Sequence, residues 1–261
     1  MKSLRHAWAD PLARGIDINA PGTISVHRQI ISSKPLLRAV YRHWYQDFVA
    51  AVRAVGDGLG PVIELGCGAS HLDEYLPGVI KTDVVAHSNV DIALSADALP
   101  FDDESVRAIV ALGVLHHLDE PLKCLTEAQR CLVRNGQLVL IEPSGSPLHR
   151  FMVRKFHPHE YYDETVREWR NATSGRLSAA NNALPWIIFV RDREAFERQL
   201  PRLRIRSIRP HTFVMYYLSG GLSYRPFVPG ALLPLVEVIE ALASPFRRIL
   251  GTMMTVEIEK V

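Results

Sequence analysis

The sequence predicts an α/β fold organised on a doubly wound, mostly parallel sheet of seven strands. Three observations carry this. Short apolar runs such as Val62–Leu65, Val106–Leu112 and Gln137–Pro143 read as strands buried on both faces. Segments of helical periodicity alternate with them, which brings successive strands into parallel register through crossovers. The first run also closes on a glycine loop, Gly66-Cys67-Gly68, at the strand end where open parallel sheets take ligands.

A chain of 261 residues that is 48% hydrophobic suits one large core with additions. Its 30 basic and 28 acidic residues leave a net charge of +2, so no global field recruits nucleic acid. Cys67, Cys124 and Cys131 match neither a disulfide framework nor a zinc site, and no metal is expected. The first residues lack the pattern of a signal peptide. The most apolar late stretch, Phe227 to Ile239, is interrupted by Pro229, Pro234 and Glu237 and is shorter than the roughly 20 residues of a spanning helix. The expectation is a cytoplasmic protein without a transmembrane segment, with contact at a membrane surface left open.

Residues 1–22 read as an irregular arm. From Gln29 to Val55 apolar residues recur at helical spacing, with a break near Pro35. Its aromatic residues Tyr41, Trp44, Tyr45 and Phe48 suit either core packing or a lid over a ligand. Gly56, Gly58, Gly60 and Pro61 end this helix. After the glycine loop, Leu72 and Tyr75-Leu76 suggest a short helix, and Val79–Asp83 a second strand.

Val90–Leu94 is a brief extended piece. Val106–Leu112 is the buried strand that follows, with Gly113–Leu118 as its loop. Pro121–Leu132 is helical, and Asn135-Gly136 turns the chain into Gln137–Pro143. Arg191–Leu200 is read as a helix, Leu203–Ile208 as a strand with one solvated face, Leu232–Leu242 as a helix and Thr252–Lys260 as the last strand. The expected organisation is an N-terminal arm and lid helix (1–56), a ligand-binding core (57–143), a cap (144–190), a core helix and strand (191–211), a second cap (212–249) and a final strand (250–261).

The glycine loop discriminates between ligands. A dinucleotide fingerprint needs a third glycine, and His71 stands in that place. The adjacent Glu64 would oppose a diphosphate. A ligand with an amino group and a sulfonium, but no phosphate, is the better electrostatic match. A nicotinamide oxidoreductase rests on the sheet alone.

Five pieces occur in order: Val62–Gly68, Asp83, Ser95–Phe101, Ala111–Leu118 and Leu132–Pro143. With these the chain resembles the class I S-adenosylmethionine-dependent methyltransferases, in the broad type 11 group that includes quinone-biosynthesis and small-metabolite enzymes. The resemblance covers roughly residues 61–143. It implies a Rossmann-like doubly wound, mostly parallel seven-stranded sheet with an antiparallel C-terminal strand and helical lid insertions, and S-adenosyl-L-methionine as cofactor.

It also implies roles at matching positions. Gly66, Cys67 and Gly68 would lie along the methionine part of the cofactor, with Glu64 ordering the loop or reaching the amino group. Asp83 would accept the ribose hydroxyls, because a carboxylate takes two hydrogen bonds at once; Asp91 is its rival. Asp97 would accept the adenine amino group, with Ala98 and Leu99 against the ring. Gly113 and Val114 would line the floor beneath the sulfonium.

Methyl transfer from a sulfonium is an in-line displacement governed by alignment and water exclusion. A base is needed only where the nucleophile must lose a proton, and His117, His116 and the cluster from His157 to Asp163 are the candidates. The stretch His157 to Asp163 is a further polar cluster; a metal on His157, His159 and Glu160 lacks any recognisable ligand set. Trp169, Trp186, Phe213, Tyr216, Tyr217, Tyr224 and Phe227 in the two caps suggest a partly apolar acceptor. The arginines from Arg191 to Arg209 read as a solvated face. The expected partner is a small-molecule, sugar or lipid-linked acceptor, methylated on oxygen or carbon. A cofactor-binding scaffold without catalysis is the competing reading.

Overall fold

The computed structural model describes residues 8–17, 20, 22–56, 58, 60–156, 160–171 and 180–261. Among them one sheet contains β1 (Val62–Leu65), β2 (Ile80–Asp83), β3 (Ile92–Ala93), β4 (Val106–Leu112), β5 (Leu132–Pro143), β6 (Leu203–His211) and β7 (Met253–Lys260). The spatial order is β3-β2-β1-β4-β5-β7-β6. β1 to β5 run parallel, and β7 lies antiparallel between β5 and β6. The order reverses between β1 and β4, whose connections leave in opposite directions and open a crevice at the carboxyl edge.

The helices are α1 (Thr23–Ser33), α2 (Pro35–Val55), α3 (Pro121–Cys131), α4 (Pro147–Phe156), α5 (Leu184–Trp186), α6 (Arg193–Gln199), α7 (Met215–Leu218), α8 (Leu233–Ala243) and α9 (Arg247–Leu250). Alternation along the strands assigns them to layers. Ala108 and Val110 of β4 face Trp44, Tyr45 and Phe48 of α2, whereas Ile109 and Ala111 face Leu125 and Ala128 of α3 and Phe196 of α6. Of the two roles open to the α2 aromatics, Trp44, Tyr45 and Phe48 take core packing. Pro35 starts α2, where its missing N–H costs nothing, and Gly56 at φ +81° ends it.

Several elements differ from the sequence reading. No α-helix follows the glycine loop; Leu72–Glu74 is a single 3-10 turn, because Pro77 and Gly78 leave too few residues to propagate one. β5 begins at Leu132, with Val106 paired to Leu132, so Asn135-Gly136 kinks one strand instead of starting it. Asn135 adopts φ +63°, and a Cβ on Gly136 would meet the Val133 oxygen at 2.8 Å. The helix expected from Arg191 begins at Arg193, preceded by α5 and a wide π-helical turn, Ile187–Arg191, that buries Ile188 and Phe189. The polar stretch 144–185 contributes a small apolar core of Val153, Tyr162 and Ala183, closed by Ile187. Leu203 and Ile205 point inward while Arg204 and Arg206 are exposed, as the alternation predicts. No helix of the described residues is long and apolar enough to cross a membrane.

Candidate functional site

Because β1 to β5 are parallel, the residues that end them share one edge of the sheet. The loop after β1 is tightly packed there. Gly66 adopts φ +60°, and a Cβ on it would approach Val114 Cγ2 to 2.6 Å. Only glycine fits both the backbone and the space. Cys67 N–H donates to the Thr82 carbonyl (2.8 Å), and Gly68 N–H donates to Asp83 Oδ2 (3.0 Å). Asn89 Nδ2 reaches the carbonyls of Gly68 and Ser70, both at 3.0 Å. From the helical layer, the Tyr45 hydroxyl accepts the His71 N–H (2.9 Å), and the Arg28 guanidinium donates to the Ser70 carbonyl.

Acidic residues punctuate this edge. Glu64 is 1% exposed, its Oε2 has no partner, and burial pushes its carboxyl up to about 8. It is therefore largely protonated at neutral pH unless a cation arrives. Asp83 also accepts the Val85 N–H on Oδ1 (3.1 Å), with His87 Nε2 3.6 Å from Oδ2. Its rival Asp91 is exposed and engaged on the Lys81 N–H (2.8 Å).

After β3, Asp97 carries a buried Oδ1 without a partner, and desolvation raises its pKa. A cavity of about 670 Å³ opens beside it, lined by Leu122, Lys123 and Trp169 among others. Ala98 is exposed. Leu99 is buried in the sheet core, and its N–H donates to Glu127 Oε2 (2.8 Å).

At the end of β4, Gly113 adopts φ +64° and donates its N–H to the Ile141 carbonyl (2.8 Å). Glu142, fully buried on β5, accepts the N–H groups of Val114 (2.8 Å) and Leu115 (2.7 Å) on Oε1. Its Oε2 lies 2.6 Å from His116 Nδ1. Burial works to lower the His116 pKa, but the charge and hydrogen bond of Glu142 raise it above the ordinary value. His117, its ring centroid 4.2 Å from that of His116, is lowered to about 3 by burial and by its neighbour's charge. Its Nδ1 is buried without a partner.

His116, His117 and Glu160 bring ligand atoms within 4.8 Å of one another, as do Cys67, Asp83 and His87, and either group could gather an ion. Glu160 enters from beyond α4 and accepts Asn182 Nδ2 (2.8 Å). His157 and His159 lie outside the described residues. The structure thus assembles Glu64, Gly66, Cys67, Gly68 and Asp83 on one side of the crevice and Gly113, Val114, His116 and His117 on the other.

Glu142, Asn89 and Arg28 were not singled out as site residues from sequence. Glu142 carries a readable signal, since Ile141-Glu142-Pro143 ends an apolar strand as Ile63-Glu64-Leu65 does. Arg28 and Asn89 carry none.

Residues 63–140 match a family model described as a methyltransferase domain. Among curated proteins none matches the chain. Similar solved structures include geranyl diphosphate C-methyltransferase from Streptomyces coelicolor, in complex with Mg2+, geranyl diphosphate and S-adenosyl-L-homocysteine. It is 14% identical, with a TM-score of 0.50, over 97% of this chain and 86% of that one. Another is a SAM-dependent methyltransferase, "possible histamine N-methyltransferase", from Thermotoga maritima, 15% identical with a TM-score of 0.48 over 89% of this chain and 99% of that one. At such identity, the first likeness establishes a shared fold.

Proposed function

We propose that this chain, whose residues 63–140 match a methyltransferase-domain model, is a class I S-adenosylmethionine-dependent methyltransferase that methylates a hydroxyl of a small-molecule, sugar or lipid-linked acceptor, with His116 as the base. The observation that carries the reading is the buried Glu142–His116 pair, 2.6 Å apart, at the strand end beside the glycine loop.

The residues present suit the cofactor. Glu64 Oε2 and Asp97 Oδ1 are buried acceptors without partners, and at Gly68 an added Cβ would meet nothing nearer than the Gly66 oxygen, at 3.9 Å. These acceptors answer the ammonium and adenine amino group of S-adenosylmethionine, and Asp83 at the end of β2 answers its ribose hydroxyls. The cofactor supplies a methyl group already activated by its positive sulfur.

The chain's own contribution is position and proton management. Glu142 holds Val114 and Leu115 in place through their amides, which fixes the wall opposite the glycine loop. The same carboxylate orients His116, leaving its Nε2 as the atom that would take the proton of an acceptor hydroxyl. His117, neutral through most of the pH range, forms the wall beside it; of the two expected histidines, His116 is the better base because a carboxylate stabilises its charged form.

The test supplies methyl-labelled cofactor and a cell extract to the purified protein and follows labelled product and S-adenosylhomocysteine. His116→Ala should bind cofactor with unchanged affinity by calorimetry and turn over about 100-fold to 10,000-fold more slowly. Undiminished turnover in that variant would refute the base assignment.

A further inference from the structure

We infer that α8 and α9 form a surface that docks on an anionic lipid bilayer. The helix α8 is turned inside out with respect to polarity. Its two carboxylates face the protein: Glu240 accepts the N–H groups of Phe213, Val214 (3.0 Å) and Met215 (3.2 Å) at the start of α7, and half-buried Glu237 pairs with Arg42 at 2.9 Å. The outward positions are apolar instead. Leu235, Val238, Ile239 and Leu242 on α8 continue into Phe246 and Ile249, all exposed, with Leu242 at 72%. A helix on a water-facing surface shows the opposite pattern, and a contiguous exposed apolar face marks an interaction site.

Charge selects the occupant. Exposed Arg247 and Arg248 stand in the chain between exposed Phe246 and Ile249. Helix α9 packs on α4, which adds exposed Phe151, Phe156 and Arg154. Apolar side chains rimmed by arginines suit the headgroup boundary of a membrane carrying negative lipid, where a short helix lies in the plane of the interface. A two-fold contact with a second copy would apply the same patch, arginines included, to itself, which is electrostatically unfavourable. No described helix can span the bilayer, so the attachment is peripheral. This docking does not depend on which acceptor is methylated.

The test is co-sedimentation of the 261-residue protein with vesicles of phosphatidylglycerol mixed equally with phosphatidylcholine, against vesicles of phosphatidylcholine alone. Wild-type protein should pellet with the mixed vesicles and be released by salt. Val238→Glu/Leu242→Glu should lower the partition by about tenfold or more with cofactor binding retained. Arg247→Glu/Arg248→Glu should lower it about fivefold per charge, the fold-change equivalent of roughly 1 kcal/mol each, which keeps the test decisive if the first variant misfolds. Protein that stays in the supernatant with both vesicle types would overturn the proposal. So would a concentration-dependent dimer, in sedimentation, that Leu242→Glu abolishes.

Discussion

Glu142 and His116 are joined by a buried contact of 2.6 Å between Oε2 and Nδ1, while the other oxygen of the same carboxylate holds two amides of the loop that carries the histidine. One side chain thereby sets the backbone of the β4 loop and the basicity of its imidazole. In Glu142→Gln the amide oxygen can still accept Val114 and Leu115, but the negative charge beside His116 is gone. The rate–pH profile should then rise at lower pH than in the wild type, because the carboxylate is what raises the His116 pKa, and turnover should fall. An acid limb at an unchanged position would show that His116 does not titrate in the reaction.

The buried strands and the glycine loop were legible because continuous apolar runs and paired glycines leave few alternatives at those positions. Boundaries failed where one residue carries two signals. Asn135 and Gly136 look like a turn, yet they bend a strand whose first residues pair with β4. Arg28 and Asn89 reach the glycine loop from 42 and 21 residues away, and no local pattern encodes such contacts. In α8 the i, i+3 spacing of Glu237 and Glu240 puts them on one face of the helix, but nothing local says that this face turns toward the protein.

Glu64 is a cost in the free protein. Its folded pKa, about 8, lies above the ordinary 4.5, so the unfolded chain loses this proton first and stability falls as pH rises from about 4.5 through 8. Glu64→Gln should therefore melt higher than wild type at pH 8 to 9, by a few degrees, at about 2 to 4 °C per kcal/mol. The same variant should bind S-adenosylmethionine more weakly, since it cannot ionise against an ammonium. Calorimetry beside thermal melts checks both halves; a variant that binds normally would remove Glu64 from the amino-group contact.

Asp83 ties the glycine loop to β2 through Gly68 and turns the chain through Val85. Charge-assisted hydrogen bonds are worth about 1.5 to 3 kcal/mol each, so Asp83→Ala should weaken cofactor binding by at least about tenfold. Asp91→Ala, at an exposed edge bonded to the Lys81 amide, should change it little. Titration calorimetry on the pair separates them, and the reverse ranking would transfer the ribose contact to Asp91.

His117 makes the fold sensitive to acid. Its pKa is lowered from 6.5 to about 3, so between those values the unfolded chain takes up a proton that the folded chain refuses, and stability is lost as pH falls. His211, lowered to about 4 by burial, acts in the same direction. His116, raised by Glu142, acts in the opposite one. Across the window from pH 7 to pH 5 the His117 contribution approaches about 2 kcal/mol, at 1.36 kcal/mol per unit. His117→Asn should thus lose less melting temperature over that interval than wild type, by several degrees. Melts at closely spaced pH values check this; parallel curves for the two proteins would mean that His117 is readily protonated in the fold, and that the wall beside His116 carries charge.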